Sequence, residues 1–243
     1  MEEFWSLTII VILFSTVQSL FGVGLLIFGT PTLLLMGYSF EVTIAFLLPS
    51  SVTISIMQVL HGRDRIDQLR KSFLVYSVPL IVVGLVLVMR EILVIDIKIL
   101  VGLALVFSAI TRYHKKMQQA VANLLERHSK PYLMFMGFVH GLTNMGGGFL
   151  TIMVTTLYDD KESTRANIAY GYLVFALSQI AVLVLLHPGV FSISSILLAA
   201  IALLTYWIVG NVLYVKSSRS VYQHLITVFM LAYGILLIGQ ELI

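Results

Sequence analysis

Polar side chains recurring on one face of an apolar segment are the residues of this chain best suited to chemistry. Ser15, Gln18, Ser19 and Gly22 stand at i, i+3, i+4 and i+7, and Gly137, His140, Gly141 and Asn144 repeat that spacing 122 positions later. On a helix this spacing is one face. Each stripe runs into a glycine-containing break, Gly22-Val23-Gly24 in the first copy and Gly146-Gly147-Gly148 in the second. An uncompensated polar side chain or freed backbone N–H is costly in hydrocarbon, so Gln18, His140 and Asn144 must face protein or a water-filled cavity. Interrupted hydrophobic segments at corresponding positions of two halves mark the binding site of a transporter. Half-helices beginning after Gly24 and Gly148 would aim N–H groups and the positive ends of their dipoles inward, which suits a small anion without any intramembrane Lys or Arg.

The glycines have a plainer explanation. Small residues at i and i+4, such as Ser15/Ser19 and Gly137/Gly141, let helices approach closely. For these positions alone, packing and substrate lining weigh equally, and the neighbouring Gln18, His140 and Asn144 tip the reading toward lining. A second polar set follows each stripe. Thr43, Ser50, Ser51, Thr53, Ser55 and Gln58 follow the first, and Asn167, Tyr170, Ser178 and Gln179 follow the second. Hydroxyls commonly bond their own helix backbone. Asn167 and Gln179 are harder to bury and join the candidate site, whereas Gln58, beside a basic loop, reads as interfacial. Arg165 would either draw an anion to a mouth or snorkel to headgroups. Asn211 would either join helices or line the path. His140 titrates near physiological pH in water, so a proton relay and a neutral hydrogen-bonding role are both open.

The elements that carry these residues are apolar helices. Hydrophobic residues make up 59% of the 243 and charged residues 11%, with a mean hydropathy of +0.99. Soluble domains carry roughly 25% charged residues, so this is an all-α polytopic membrane protein. Eight apolar segments cover 4–38, 41–61, 70–90, 92–111, 131–158, 164–187, 191–215 and 221–242. The fifth has 28 residues, about 42 Å of helix against a hydrocarbon core of about 30 Å. The first is longer still. Each is long for one crossing and short for two, which fits a helix that enters, breaks at glycine and returns.

Loop charge orders these pieces. The loops 61–71 and 112–130 are rich in Lys and Arg and belong in the cytoplasm. Lys216 and Arg219 mark a further cytoplasmic turn, and 187–192 carries no Lys or Arg. Counting back makes the first and fifth segments re-entrant from opposite sides. The expected architecture is two homologous, inverted halves, 1–113 and 131–243. Each is a broken hairpin plus three transmembrane helices, and 114–130 forms an amphipathic linker on the cytoplasmic surface. The N-terminus lies outside a plasma or inner membrane, and acidic Glu2 and Glu3 do not form a cleavable signal. A model of eight full crossings with parallel halves requires Lys216 and Arg219 outside.

Enzyme signatures are missing: there is no His-Glu-x-x-His, phosphate loop or Gly-x-Ser-x-Gly. The absence of cysteine excludes disulfides and thiolate chemistry. No cofactor and no nucleic-acid partner is expected. The expected partners are a small anion, coupled protons and the bilayer; the oligomeric state, a homodimer included, is open.

Gly22-Val23-Gly24 followed by Thr30-Pro31-Thr32-Leu33-Leu34-Leu35-Met36-Gly37, together with Asn144-Met145-Gly146-Gly147-Gly148, resembles the TauE/SafE sulfite exporter family. Ala45 and the stretch from Ala166 to Ala169 occupy the region where that family begins its next helix. The resemblance covers nearly the whole chain and its two-half layout. It implies transport of a small sulfur-containing anion, such as sulfite or an organosulfonate. The expectation is a secondary exporter working by alternating access. Its substrate-binding residues would be Gln18, Gly22, Gly24, His140, Asn144, Gly146, Gly147, Gly148, Asn167 and Gln179. An anion channel and a non-transporting membrane enzyme or assembly factor are the competing readings.

Overall fold

The computed structural model describes residues 2–66, 69–93, 96–216 and 219–242; the side chains of Asn211, Lys216 and Arg219 lie outside the described set. The regular structure is helical: α1 (Glu2–Phe21), α2 (Leu25–Leu35), α3 (Phe40–His61), α4 (Leu69–Met89), α5 (Ile97–Tyr113), α6 (Lys115–Thr143), α7 (Gly146–Leu157), α8 (Lys161–Leu186), α9 (Ile193–Thr205), α10 (Asn211–Lys216) and α11 (Arg219–Leu242). A 3-10 turn at Arg63–Arg65 and a π turn at Tyr206–Gly210 complete the order.

Among the described residues five stretches are long and apolar enough to cross a membrane: Glu3–Phe21, Phe40–His61, Lys71–Met89, Lys161–Leu186 and Ile193–Gly210. The fourth apolar segment becomes α5, whose 17 residues reach only about 26 Å. It meets α6 at a bend of 98°, and the bent pair supplies a sixth candidate span. Within α6 the backbone leaves helical geometry at His128. Pro131 causes this break, because it has no N–H for the Arg127 carbonyl and its ring crowds that turn. Before the break, Val121 and Leu125 turn inward while Leu124 is 40% exposed.

Both glycine breaks are sharp elbows after which the chain doubles back. Gly22 takes a left-handed φ of 79° and Asn144 one of 62°, a conformation that Gly adopts freely and Asn tolerates. A Cβ on Gly24 would stand 2.5 Å from the Gln18 backbone N and 2.7 Å from the Phe14 carbonyl oxygen, so α2 begins flush against α1. The Tyr38 hydroxyl then donates to Glu3 Oε1 at 3.0 Å, which returns the end of α2 to the start of α1. Burial first, and then Glu3, raise the Tyr38 hydroxyl above its ordinary range. The second hairpin closes likewise: a Cβ on Gly146 would touch His140 Cβ at 2.5 Å, and Tyr132 donates to the Phe149 carbonyl at 2.7 Å. The arms are unequal. α1, at 20 residues, is about 30 Å long, whereas α2, at 11, is about 16 Å.

α3 packs on α8 at the centre, α4 on α6, α9 on α1 and α3, and α5 on α11. The stripe glycines of the second half are spent on packing. Cβ atoms at Gly137 and Gly141 would lie 2.4 Å from the Ser77 carbonyl oxygen and 2.3 Å from that of Ile81, both in α4. Large apolar side chains such as Leu185 (79% exposed) and Ile9 (65%) cover the outside, as lipid contact requires.

The start of α8 carries a testable cap. Asp160 Oδ1 accepts from the Ser163 backbone N at 2.7 Å. Bonds from Ser163, backbone first, hold the Asp160 carboxyl below its ordinary range, and Arg65 adds to this. Asp160→Ala is expected to lower stability by about 1 kcal/mol, read as a drop in thermal unfolding temperature in detergent at neutral pH. A lowered folded-state pKa makes this contribution complete above the ordinary value of 3.8. It is lost as pH falls through the lowered value, so wild type and variant converge in acid.

Candidate functional site

The first elbow satisfies its own backbone. Gln18 Nε2 donates to the Ser51 carbonyl (3.2 Å), Ser51 Oγ (3.1 Å) and Ser55 Oγ (3.2 Å). Gln18 Oε1 accepts from Leu25 N at 3.2 Å. That bond occupies the first amide of α2, one of the groups expected to hold an anion. Gln58 is only 2% exposed and packs inside the protein. Its Nε2 donates to the carbonyls of Gln18 (2.7 Å) and Ser19 (3.0 Å) at the end of α1. Ser51 and Ser55 of α3 are thus partners of Gln18.

The second elbow is different. α7 starts at Gly146, so the three glycines form its first turn and do not precede it. Each makes room for a different polar side chain. A Cβ on Gly146 would lie 3.1 Å from His140 Nδ1, one on Gly147 1.8 Å from Tyr172 Oη, and one on Gly148 2.7 Å from Ser108 Oγ. His140, Tyr172 and Ser108 are 0% exposed and Asn144 is 1% exposed. Among the described residues, His140 Nδ1, Asn144 Oδ1, Tyr172 Oη and Ser108 Oγ are buried without a hydrogen-bond partner. Leaving four such groups unpaired is expensive, and all four adjoin the first turn of α7, a helix end with orphan N–H groups where, of the glycine amides, Gly148 N has a partner in the Met145 carbonyl at 3.2 Å.

The surrounding contacts fix the orientation of these groups. Gln179 Nε2 donates to the His140 carbonyl at 3.4 Å, which turns Gln179 Oε1 toward His140 Nε2 at 3.1 Å. The network therefore puts the imidazole proton on Nε2 and leaves Nδ1 as an acceptor. Phe175 stacks on the imidazole at 3.8 Å. Asn144 Nδ2 donates to Thr30 Oγ1 at 2.8 Å, tying this elbow to α2 of the other hairpin. The site therefore offers two acceptors, two hydroxyls and the first amides of α7. Among the described residues no three His, Asp or Glu side chains could hold a metal.

His140, Asn144, Gly146, Gly147, Gly148 and Gln179 are thus gathered at one elbow. Gln18, Gly22 and Gly24 sit at the other. Gly22 abuts Ile168 and the Arg165 carbonyl, about 17 Å along α8 from Gln179. Asn167 belongs to neither: its Nδ2 donates to the carbonyls of Arg65 and Ser163, both at 2.9 Å. Three members were not singled out from sequence. Tyr172 carried a signal, since it lies seven residues before Gln179 on the same helix face. Thr30 opens the Thr-Pro motif behind the family resemblance, though without a site role attached to it, and Ser108 carried none.

A sequence profile described as sulfite exporter TauE/SafE matches residues 7–237, which takes in both hairpins and every residue just named. The chain belongs to the TauE/SafE family. No curated protein and no solved structure matches it. As a TauE/SafE protein it is a multi-pass membrane protein of a transporter family, and the family implies a small anion as substrate. The acceptor-and-donor set at the α7 end is chemistry that a small oxyanion can use.

Proposed function

We propose that this TauE/SafE protein is a secondary exporter of a small sulfur oxyanion, sulfite above organosulfonates, bound at the N-terminal turn of α7. The observation that carries this reading is the set of four buried, unpartnered polar atoms around Gly146, Gly147 and Gly148. The α7 amides and the hydroxyls of Tyr172 and Ser108 donate to the anion's oxygens. His140 Nδ1 and Asn144 Oδ1 accept, and a bare sulfonate head has no O–H to give them. Hydrogen sulfite does. When His140 takes that proton, Nδ1 becomes a donor to the anion, so proton and anion move together. Among the described residues no charged side chain stands against the ring, which Phe175, Gln179 and Gly146 adjoin.

Because these atoms are buried, an ion reaches them only when helices part, which favours alternating access over an open pore. The two halves, 1–113 and 131–243, would be inverted repeats joined by the 114–130 linker. The pairing of helices supports a repeat, since exchanging α1 for α6, α3 for α8, α4 for α9 and α5 for α11 maps the main contacts onto one another. The N-terminus would lie outside the plasma membrane. Lys161→Cys tests the orientation in this cysteine-free chain: a membrane-impermeant thiol reagent should label it only after the cytoplasmic face is opened. Labelling in intact cells would sink the inverted arrangement. For function, purified protein in liposomes should give saturable sulfite flux that collapses the imposed pH gradient. Absence of flux with sulfite, thiosulfate and sulfonates would refute the transport reading.

A further inference from the structure

A second feature lies at the opposite end of α8 from Gln179. A cavity of about 280 Å³ is lined by Gln58, His61, Gly62, Arg65, Glu162, Arg165, Ala166 and Tyr214. Arg165 is held in place from two sides: its guanidinium carbon lies 3.9 Å from the centre of the Tyr214 ring, and it donates to Tyr206 Oη at 3.2 Å. Tyr206 Oη in turn meets His61 Nδ1 at 3.3 Å. Tyr206 opens a π turn, a distortion frequent at functional sites.

The charges sort cleanly. Arg65 pairs with Glu162 at 2.5 Å and with Asp160 at 3.5 Å. Among the described residues Arg165 forms no ion pair with a carboxylate, and it is the unneutralised cation on the cavity wall. Gln58 is 2% exposed, its Oε1 is buried without a partner, and its Nε2 is committed to the carbonyls of the first elbow. The wall therefore presents one cation, and just beneath it Gln58 holds a buried acceptor in need of a donor, which a small shift of the Gln58 amide opens to the cavity.

We infer that this cavity is a second anion site, selective for a singly charged oxyanion that still carries a proton. The anion's charge meets Arg165 and its O–H meets Gln58 Oε1. A fully deprotonated dianion brings no donor for Gln58 and exceeds the single positive charge that Arg165 supplies. A lipid phosphodiester also has no O–H to offer. Gln58 bridges the cavity to the backbone of the Gln18 elbow, so occupancy here would be felt by the first hairpin. Only the choice of sulfite as probe rests on the transport reading above.

Trp207 provides the readout, with its ring 6.1 Å from that of His61. The chain holds two tryptophans, so Trp5→Phe leaves Trp207 alone. In phosphatidylcholine nanodiscs and mildly acidic buffer, sulfite should shift Trp207 emission saturably, and sulfate should not. Arg165→Gln should weaken the response roughly tenfold or more, and Arg165→Lys should retain part of it. His140→Ala should leave it intact, which separates failure of this site from failure of the α7 site. The inference is overturned by no saturable shift, by equal response to sulfate, by an unchanged response in Arg165→Gln, or by a response that appears only when phosphatidylglycerol replaces phosphatidylcholine.

Discussion

Replacing His140 with Ala is expected to abolish saturable sulfite flux while the protein still folds. The imidazole supplies the acceptor, and once protonated the donor, nearest the first turn of α7. Loss of a hydrogen bond to a charged group costs about 1.5–3 kcal/mol, which is roughly a 10- to 100-fold loss of affinity. His140→Gln refines the test, because an amide can still bond Gln179 but cannot change charge between pH 5 and 8. Its residual flux should therefore keep only the pH dependence that the protonation of sulfite itself imposes. Tyr172→Phe removes a single donor and should weaken binding by less, with pH dependence kept. Isothermal titration with sulfite and liposome flux across a pH series measure all three. Normal affinity in both His140 variants would remove this elbow from the substrate path.

Gly141→Ala is expected to be among the most damaging single methyls in the molecule. Its Cβ would lie 2.3 Å from the Ile81 carbonyl oxygen and 3.0 Å from Leu85 N, so α4 itself must retreat from α6. Overpacking of this kind costs about 1–3 kcal/mol, and a clash with backbone belongs at the upper end. Gly29→Ala is the control. There the new Cβ would meet only the ends of the Leu47 side chain, at 2.9 Å, and Leu47 can rotate away for less than about 1 kcal/mol. Thermal unfolding of both variants in detergent, followed by light scattering, should show a clear drop for Gly141→Ala and little change for Gly29→Ala. Equal drops would mean that α4 and α6 tolerate separation.

The contrast between these two glycines shows how far the sequence could be read. The repeated stripe located both elbows, because only Gly or Asn turns the chain at Gly22 and Asn144 without steric cost. It could not separate a glycine that seats a helix, such as Gly141, from one that faces a site, such as Gly147. The two have the same chemistry and differ only in which neighbour is opposite.

Apolar length, the two breaks and the polar residues beside them determined by themselves that this is a helical membrane protein with two elbows, since hydrocarbon tolerates no unpaired backbone. The resemblance carried by those breaks pointed to the TauE/SafE family, which the match over residues 7–237 then established. Only the tertiary structure decided that the elbows are unequal. Ser51, Ser55 and Gln58 come from α3 to satisfy the first elbow. Tyr172 and Ser108 come from α8 and α5 and leave polar atoms waiting at the second. Hydrogen-bond satisfaction depends on partners distant in sequence, and no local spacing encodes which of two similar turns will find them.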